Sequence, residues 1–341
     1  MKILINTPDI NALGGVANHY KGLQPYWTQK VWYNSLGSRK WRKILLPWTI
    51  LKFVFKLLMF RPDMVLLNPS MGIGALKRDF LYSRIARALG CNYSFFIHGF
   101  NLDYTRNANW KWISSNLNQA AHIIVLAQQF KNILIEHGVT TDIQLSTTKV
   151  TDDMIKDYDA NSRTGEIKNI LFLSRIEKAK GVYEAVDTFV LLKKNHPHLK
   201  MKIVGEGTEL KAVKEYVSSI GAKDIEFTGG LRGKEVTDVY KNSDLFLFTT
   251  YSEGMPTAVL EAMAFGLPVI TRYVGGLCDF FEDGEMGRIT DSLDPKDFAV
   301  LIEPLLADKE KTRQISLHNH KYAKEHFVAS KVAKDLEKIL M

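Results

Sequence analysis

The chain has 341 residues, 46% of them hydrophobic, which is enough for about two domains and too long for one ordinary core. Its two cysteines, Cys91 and Cys278, stand far apart with no partner spacing; that excludes a disulfide framework and a thiolate zinc site and fits a reducing compartment. The net charge of +8 is unevenly spread, with 18 Lys and Arg against 6 Asp and Glu in residues 1–150 but 27 against 31 in residues 151–341. The first half therefore suits an anionic partner: nucleic acid, a phosphorylated substrate or the anionic face of a membrane. No nucleic-acid motif accompanies the surplus, which makes nucleic acid the weakest of the three.

In chain order, MKILIN (1–6) reads as a strand, too short for the apolar region of a signal peptide, and begins what is expected to be a cytoplasmic protein. GVANHYKGLQPYW follows as a helix. Residues 38–63, SRKWRKILLPWTILKFVFKLLMFRPD, join a basic cluster (Arg39, Lys40, Arg42, Lys43) to an aromatic and aliphatic stretch holding Lys52 and Lys56. Pro47 and those lysines argue against a spanning helix. Two readings stay open: an amphipathic helix lying in a membrane interface, peripheral on its inner face, or a helix whose apolar side packs on a sheet. DMVLLNP (63–69), YSFFIHG (93–99) and HIIVLA (122–127) are further strands.

From about Thr140 to Ile167 the chain turns polar, and strands then resume at NILFLSR (169–175), KMKIVGEG (200–207), IEFTGG (225–230), DLFLFTT (244–250) and LPVITR (267–272). Strands alternating with helices predict parallel sheets. The expected organisation is α/β: a Rossmann-like domain over 1–150, a linker over 151–166, a second Rossmann-like domain over 167–318 and an amphipathic C-terminal helix over 319–341. Ligands of such sheets bind beyond the carboxyl ends of the strands, here in a central cleft that the two sheets face.

Four constellations fall at such ends. In SEGMPTAVLEAMAFGLPVI, Glu253 follows a strand, Pro256 opens a helix, and Glu261 is a carboxylate inside an apolar helical stretch. An unpaired buried charge costs several kcal/mol, so Glu261 is paired, neutralised or turned to a cavity. It suits a vicinal diol such as ribose, or else an ion pair with a remote Lys or Arg. The N–H groups of Thr257 and Ala258 suit ligand oxygens. In LFLSRIEKAKG, Arg175 and Lys180 flank a turn before a helix, an arrangement that suits a diphosphate, although solvated surface cations would look the same. Gly14 and Gly15 in NALGGVANHY permit close approach of phosphate or simply make a turn. His98 in IHGF ends a strand, where a histidine is either structural or catalytic.

The second half resembles the retaining glycosyltransferases of family 4, which have the GT-B fold. SRIEKAKG is similar to that family's Arg-x4-Lys-Gly, IVGEG with Gly205 to its Gly-x-Gly turn, and SEGMPTAVLEAM to its Glu-x7-Glu; GG at 275–276 and DGEMG at 283–287 continue the order. GGV at 14–16, IHGF and VLAQQFKNIL carry a looser likeness in the first half. The chain departs from the family at STTKVTDDM, where an Asn-Gly is usual, and at Met255, where an aromatic is common.

The resemblance implies an acceptor-side first domain, a nucleotide-sugar-binding second domain and a C-terminal helix that crosses back to the first. It implies that Glu261 holds the donor ribose, Glu253 and His98 contact the donor sugar, and Arg175, Lys180 and Gly15 bind the diphosphate. No cofactor or metal is expected; the one Asp-x-Asp, Asp157 to Asp159, lies in the polar linker. The implied activity is transfer of a sugar, with retention, from a nucleotide-diphosphate sugar to a glycan or polyprenyl-linked acceptor in bacterial surface polysaccharide biosynthesis. The alternatives are a nucleotide-sugar epimerase or phosphorylase of similar architecture, or a non-catalytic nucleotide-sugar or glycan-binding module.

Overall fold

The structure, a computed structural model, describes residues 1–12, 14–37 and 42–341, with the side chains of Arg42 and Lys43 excepted. Arg39 and Lys40 of the basic cluster lie outside the described residues. The chain divides into two compact units, residues 1–149 with 329–341, and residues 150–328.

In the first unit the strands are β1 (Lys2–Thr7), β2 (Lys30–Ser35), β3 (Met64–Leu67), β4 (Ser70–Met71), β5 (Asn92–Ile97), β6 (Gly99–Phe100), β7 (Ile123–Val125) and β8 (Ile143–Leu145). Six of them make one parallel sheet in the order β2-β1-β3-β5-β7-β8, and β4 pairs with β6. Central strands β1, β3 and β5 are apolar and buried on both faces, as covered parallel strands must be.

The second unit repeats the plan with β9 (Asn169–Leu173), β10 (Lys200–Val204), β11 (Ile225–Gly229), β12 (Leu245–Phe248), β13 (Val269–Arg272) and β14 (Gly287–Thr290), ordered β11-β10-β9-β12-β13-β14 and all parallel. In each sheet the chain first builds outward on one side of its first strand and then returns to the other side. The strand order therefore reverses between β1 and β3, and again between β9 and β12, and the crevice beyond the carboxyl ends at such a reversal is where doubly wound sheets hold ligands.

Beyond the sequence reading are β2, β8 and β14, each at a sheet edge, and the two-residue strands β4 and β6. Residues 151–166, expected to be a linker, are tied into the second unit instead. Tyr158 OH donates to the Phe265 carbonyl at 2.8 Å, and the Arg163 guanidinium donates to the carbonyls of Tyr240, Ser243 and Phe265. Residues 319–341 are not one helix. The helix Lys309–His326 stops where Val328 bridges to Val150, and the helix Ala329–Leu340 then belongs to the first unit, its buried Glu337 accepting from the backbone N–H groups of Thr28 and Gln29 at 2.8 Å each.

Candidate active site

The reversal between β9 and β12 brings together residues 73 apart in sequence. After β9 the chain makes a 3-10 turn over Lys178–Lys180, passes through Gly181 at φ 76° and enters the helix Val182–Asn195. A Cβ on Gly181 would stand 2.0 Å from the Thr249 carbonyl oxygen, so only glycine lets this turn lie against the end of β12. Thr249 Oγ1 donates to the Gly181 carbonyl at 2.6 Å and Tyr251 N to the Ala179 carbonyl at 3.0 Å. This packing sets Lys180 Nζ 2.5 Å from Glu253 Oε1, both side chains less than one-fifth exposed. Thr250 Oγ1 donates to the same oxygen at 3.2 Å, which leaves Glu253 Oε2 without a hydrogen bond from the described residues. The Glu253–Gly254 loop is held from the far side by a second glycine pair. Gly276 N donates to the Gly254 carbonyl at 2.7 Å, and a Cβ on Gly275, at φ 52°, would reach within 2.1 Å of the same oxygen.

Arg175 is brought to the same strand end but not to Lys180. It is 68% exposed and pairs with Glu177 at 2.6 Å, a surface pair worth about 0–1 kcal/mol that an incoming anion exchanges cheaply. Gly205, at φ 142°, has the Ser174 carbonyl where its Cβ would be, so it joins the ends of β9 and β10 rather than opening onto free space.

Glu261 is not sealed in the apolar interior. In the helix Thr257–Ala264, Val259, Leu260, Ala262, Met263 and Ala264 are buried, whereas Thr257, Ala258 and Glu261 are only half-buried; Thr257 and Glu261, one turn apart, share a face. Pro256 is the N-cap of this helix, and its carbonyl accepts from Val259 N at 3.0 Å. Glu261 meets a phenol: Tyr240 OH, buried, donates to Oε2 at 3.0 Å. Burial and the facing carboxylate raise the Tyr240 pKa well above its usual value, so it remains a donor. Sequence reading missed Tyr240, which lies in another helix and carries no local signature. It also missed Thr250 and Arg272, whose Nη1 donates to the Thr250 carbonyl at 3.3 Å.

In the first unit the carboxyl ends of β1, β2, β3 and β5 carry Asn6, Asn34, Asn68 and His98. Gly14 caps the helix Gly15–Leu23 at φ 148°, and added Cβ atoms on Gly14 or Gly15 would meet nothing within 4 Å, so both face open space. His98 Nε2 lies 3.0 Å from Asn68 Oδ1, and its ring stacks on Phe96 at 3.9 Å. Burial pushes the His98 pKa down to about 3 and that of His19, whose ring meets His98 edge-on at 5.1 Å, well below the usual imidazole value. Both rings are neutral at ordinary pH. Asp159, in the one Asp-x-Asp, accepts from Asn161 N at 2.9 Å; among the described residues no group of three or more metal-ligand side chains forms.

The helix Arg42–Phe60 runs through Pro47 and has two faces. Thr49, Phe53 and Leu57 pack inward, with Tyr82 OH donating to Thr49 Oγ1 at 2.9 Å. Ile44, Trp48, Leu51, Phe55, Leu58 and Met59, at spacings of three and four, are all more than half exposed. Lys52 Nζ sits 5.2 Å from the Trp48 ring. Both sequence readings of this segment thus have a face of their own. No helix among the described residues is long and apolar enough to cross a membrane.

A family model described as glycosyl transferases group 1 matches residues 155–325, half of the chain. Among curated proteins, the spore coat protein SA of Bacillus subtilis (strain 168) is 30% identical over 50% of this chain and 47% of its own length. The capsular polysaccharide biosynthesis glycosyltransferase CapM of Staphylococcus aureus is 28% identical over 67% and 57%. The chain spans about half the length of the curated relatives it matches. Among solved structures, HepE of Anabaena in complex with UDP-glucose superposes with a TM-score of 0.74 at 17% identity, over 100% of this chain and 99% of that one. Sucrose-phosphate synthase of Thermosynechococcus elongatus does so at 0.73 and 18%, over 99% and 98%. At such identities the likeness carries the fold alone: two Rossmann-like α/β domains of the GT-B type.

Proposed function

This chain belongs to the glycosyl transferases group 1 family, and from that premise we propose that it moves a sugar from a nucleotide-diphosphate sugar to a glycan or polyprenyl-linked acceptor, with retention as in family 4, in the assembly of a bacterial surface polysaccharide. The observation that carries the donor half of this reading is the Lys180–Glu253 pair at the reversal point of the second sheet, with Arg175 exposed at the same strand end. Cleaving the bond between the anomeric carbon and the diphosphate puts positive charge on the sugar and negative charge on the leaving group, and cations already fixed beside that group lower the barrier. Lys180 is the fixed cation, and Arg175 is the one free to swing from Glu177 to phosphate.

The unoccupied oxygen of Glu253 is assigned to a hydroxyl of the donor sugar, and Glu261, steadied by Tyr240, to the ribose diol. The N–H groups of Thr257 and Ala258 and the backbone at Gly205 are assigned to donor oxygens, Gly14 and Gly15 of the first unit to the diphosphate, and His98 to the transferred sugar. An acceptor hydroxyl held near the anomeric carbon completes the reaction. No covalent nucleophile is assigned, and the leaving diphosphate is given to Arg175 and Lys180 rather than to a divalent cation; full activity in excess chelator is expected, and loss of activity restored by magnesium would contradict it.

The acceptor half rests on the helix Arg42–Phe60. Its exposed apolar stripe, the absence of any Asp or Glu within it and the basic residues preceding it suit an anionic membrane surface, where a polyprenyl-linked glycan resides. A relative named for capsular polysaccharide biosynthesis supports the same setting. Incubation with nucleotide-sugars and lipid extract is expected to release nucleoside diphosphate and put sugar into the lipid fraction, with the donor's anomeric configuration in the product by NMR. Donor isomerisation or phosphorolysis without an acceptor would establish the epimerase or phosphorylase reading instead, and donor binding without turnover the non-catalytic one. Sedimentation with phosphatidylglycerol vesicles tests the membrane part: binding lost in Leu51→Glu/Phe55→Glu supports it, and no binding by the unmodified chain ends it.

A further inference from the structure

The side-chain amide of Asn68 has one orientation that its surroundings permit. Its Nδ2 lies 3.0 Å from the carbonyl oxygen of Asn6 and 3.3 Å from that of Leu66. Carbonyl oxygens only accept, so this end must be the NH2 group, and the opposite end, Oδ1, is an acceptor with two lone pairs. Two groups meet Oδ1: the hydroxyl of Tyr20, buried in the helix Gly15–Leu23, and Nε2 of His98 at 3.0 Å. Neither can be answered by a proton from Oδ1, so both must donate. His98 therefore carries its proton on Nε2, and Nδ1 is the bare nitrogen, the ring's one hydrogen-bond acceptor.

The ring plane is fixed as well. It stacks on Phe96 at an interplanar angle of 28° and meets the rings of Tyr20 and His19 edge-on at 5.7 and 5.1 Å. His19, 3% exposed, makes no hydrogen bond through either nitrogen to the described residues, so it does not occupy His98 Nδ1. An imidazole fixed in plane, in tautomer and in charge state is a preset acceptor, not a proton carrier.

We propose that Asn68 is a positioning residue that locks His98 as the Nε2–H tautomer and thereby presents Nδ1 to accept a hydrogen bond from a hydroxyl of the donor sugar. This rests on the assignment of His98 to the transferred sugar. Tyr20 holds Asn68 without deciding the tautomer, because removing its hydroxyl leaves Asn68 Oδ1 still an acceptor. A fixed tautomer costs nothing to reorganise when sugar arrives, and it discriminates: a hydroxyl donor fits Nδ1, whereas an acceptor-only group at that position is repelled by the lone pair.

The test is a long-range nitrogen–proton correlation spectrum of the full chain labelled in its histidine rings, with His98 assigned by difference from His98→Gln. The unmodified protein and Tyr20→Phe are expected to show Nε2 protonated and Nδ1 bare, and Asn68→Leu to populate both tautomers. Circular dichroism confirms that each variant is folded, and Asn68→Ala, which also removes the acceptor facing His98 and is expected to populate both tautomers, is read in its place if Asn68→Leu is unfolded. An Nδ1–H tautomer in the unmodified protein, or an unchanged tautomer in folded Asn68→Leu, overturns the positioning role. With the nucleotide-sugar that calorimetry shows to bind, the Nδ1 resonance is expected to shift while Nε2 stays in place; no shift at saturation overturns the sugar contact. If no nucleotide-sugar binds, the transferase reading fails while the tautomer result still decides the role of Asn68.

Discussion

The two sheets share one plan and differ in what stands at their carboxyl edges. In the first unit the edge is largely neutral: asparagines at the ends of β1, β2 and β3, a phenol, and two imidazoles that burial keeps uncharged, with the buried Lys149 near enough to His19 to lower its pKa further. In the second it is ionic, with Lys180 on Glu253, Arg175 on Glu177 and Arg272 clasping backbone carbonyls. The fold supplies the crevice twice, and side-chain chemistry alone distinguishes the two copies: under the proposed function the ionic one suits a diphosphate and the largely neutral one suits sugar hydroxyls. Substitutions that move charge should therefore act through the second unit, and those that move hydrogen-bond direction through the first.

The largest effect is expected from Lys180→Met. It removes the fixed cation and leaves Glu253 unpaired, so turnover should fall by on the order of 100- to 1,000-fold, the scale for losing one preorganised stabilising group. Stability should drop by about 3 kcal/mol in urea denaturation, because one partner of a largely buried pair is left behind. Adding Glu253→Gln should restore most of the stability and none of the activity; restored activity would separate the pair from the chemistry.

Next is Gly181→Ala, whose Cβ would collide with the Thr249 carbonyl and must also adopt φ 76°. A loss of about 2 kcal/mol or more is expected, measured by the denaturation midpoint, together with weaker nucleotide binding because the turn that seats Lys180 shifts. A smaller effect, about 1 kcal/mol on nucleotide affinity, is expected for Tyr240→Phe, which frees Glu261 from its phenol donor. Arg175→Ala should leave stability nearly unchanged, since its pair is exposed, while weakening nucleoside diphosphate binding.

The neutral edge has a pH signature. His98 and His19 have folded pKa values lowered by burial, so below the ordinary imidazole value of about 6.5 the unfolded chain takes up protons that the folded chain refuses. Their contribution to stability is complete above that value and is lost as pH falls from there toward 3. His98→Gln should flatten this loss in acid denaturation curves, and the activity profile of the unmodified protein should show no limb from an imidazolium at His98 between pH 5 and 8.

How much of this was legible in the sequence follows from burial. Strands with both faces covered are continuous apolar runs, and MVLL, LFLF and NILFL could be found as such. The strands β2, β8 and β14 end their sheets; KVWYNS is partly or fully exposed at every position but Asn34, IQL is three residues long, and GRIT alternates, so none makes an apolar run. Val328, drawn into a bridge with Val150, breaks a helical pattern for a tertiary reason that no local spacing reveals.

In the candidate site, residues that follow strands were visible because strand ends are. Arg175, Glu253 and His98 each follow a strand within a few positions. Their pairings were not visible. Lys180 meets Glu253 only because β9 and β12 are neighbours in the sheet, Tyr240 reaches Glu261 from another helix, and Asn68 meets His98 across two adjacent strand ends. The face of the Glu261 helix that stays half-exposed was hidden too, because Val259, Leu260, Ala262, Met263 and Ala264 around it in sequence are all apolar.

The most direct test of the donor site is calorimetric titration of the full chain with UDP, GDP and ADP, with Lys180→Met, Arg175→Ala and His98→Gln in parallel. One nucleotide is expected to bind selectively, weakened by both cation substitutions and untouched by His98→Gln. Binding of none of the three, or binding indifferent to Lys180, would contradict the assignment of the ionic edge to the donor diphosphate.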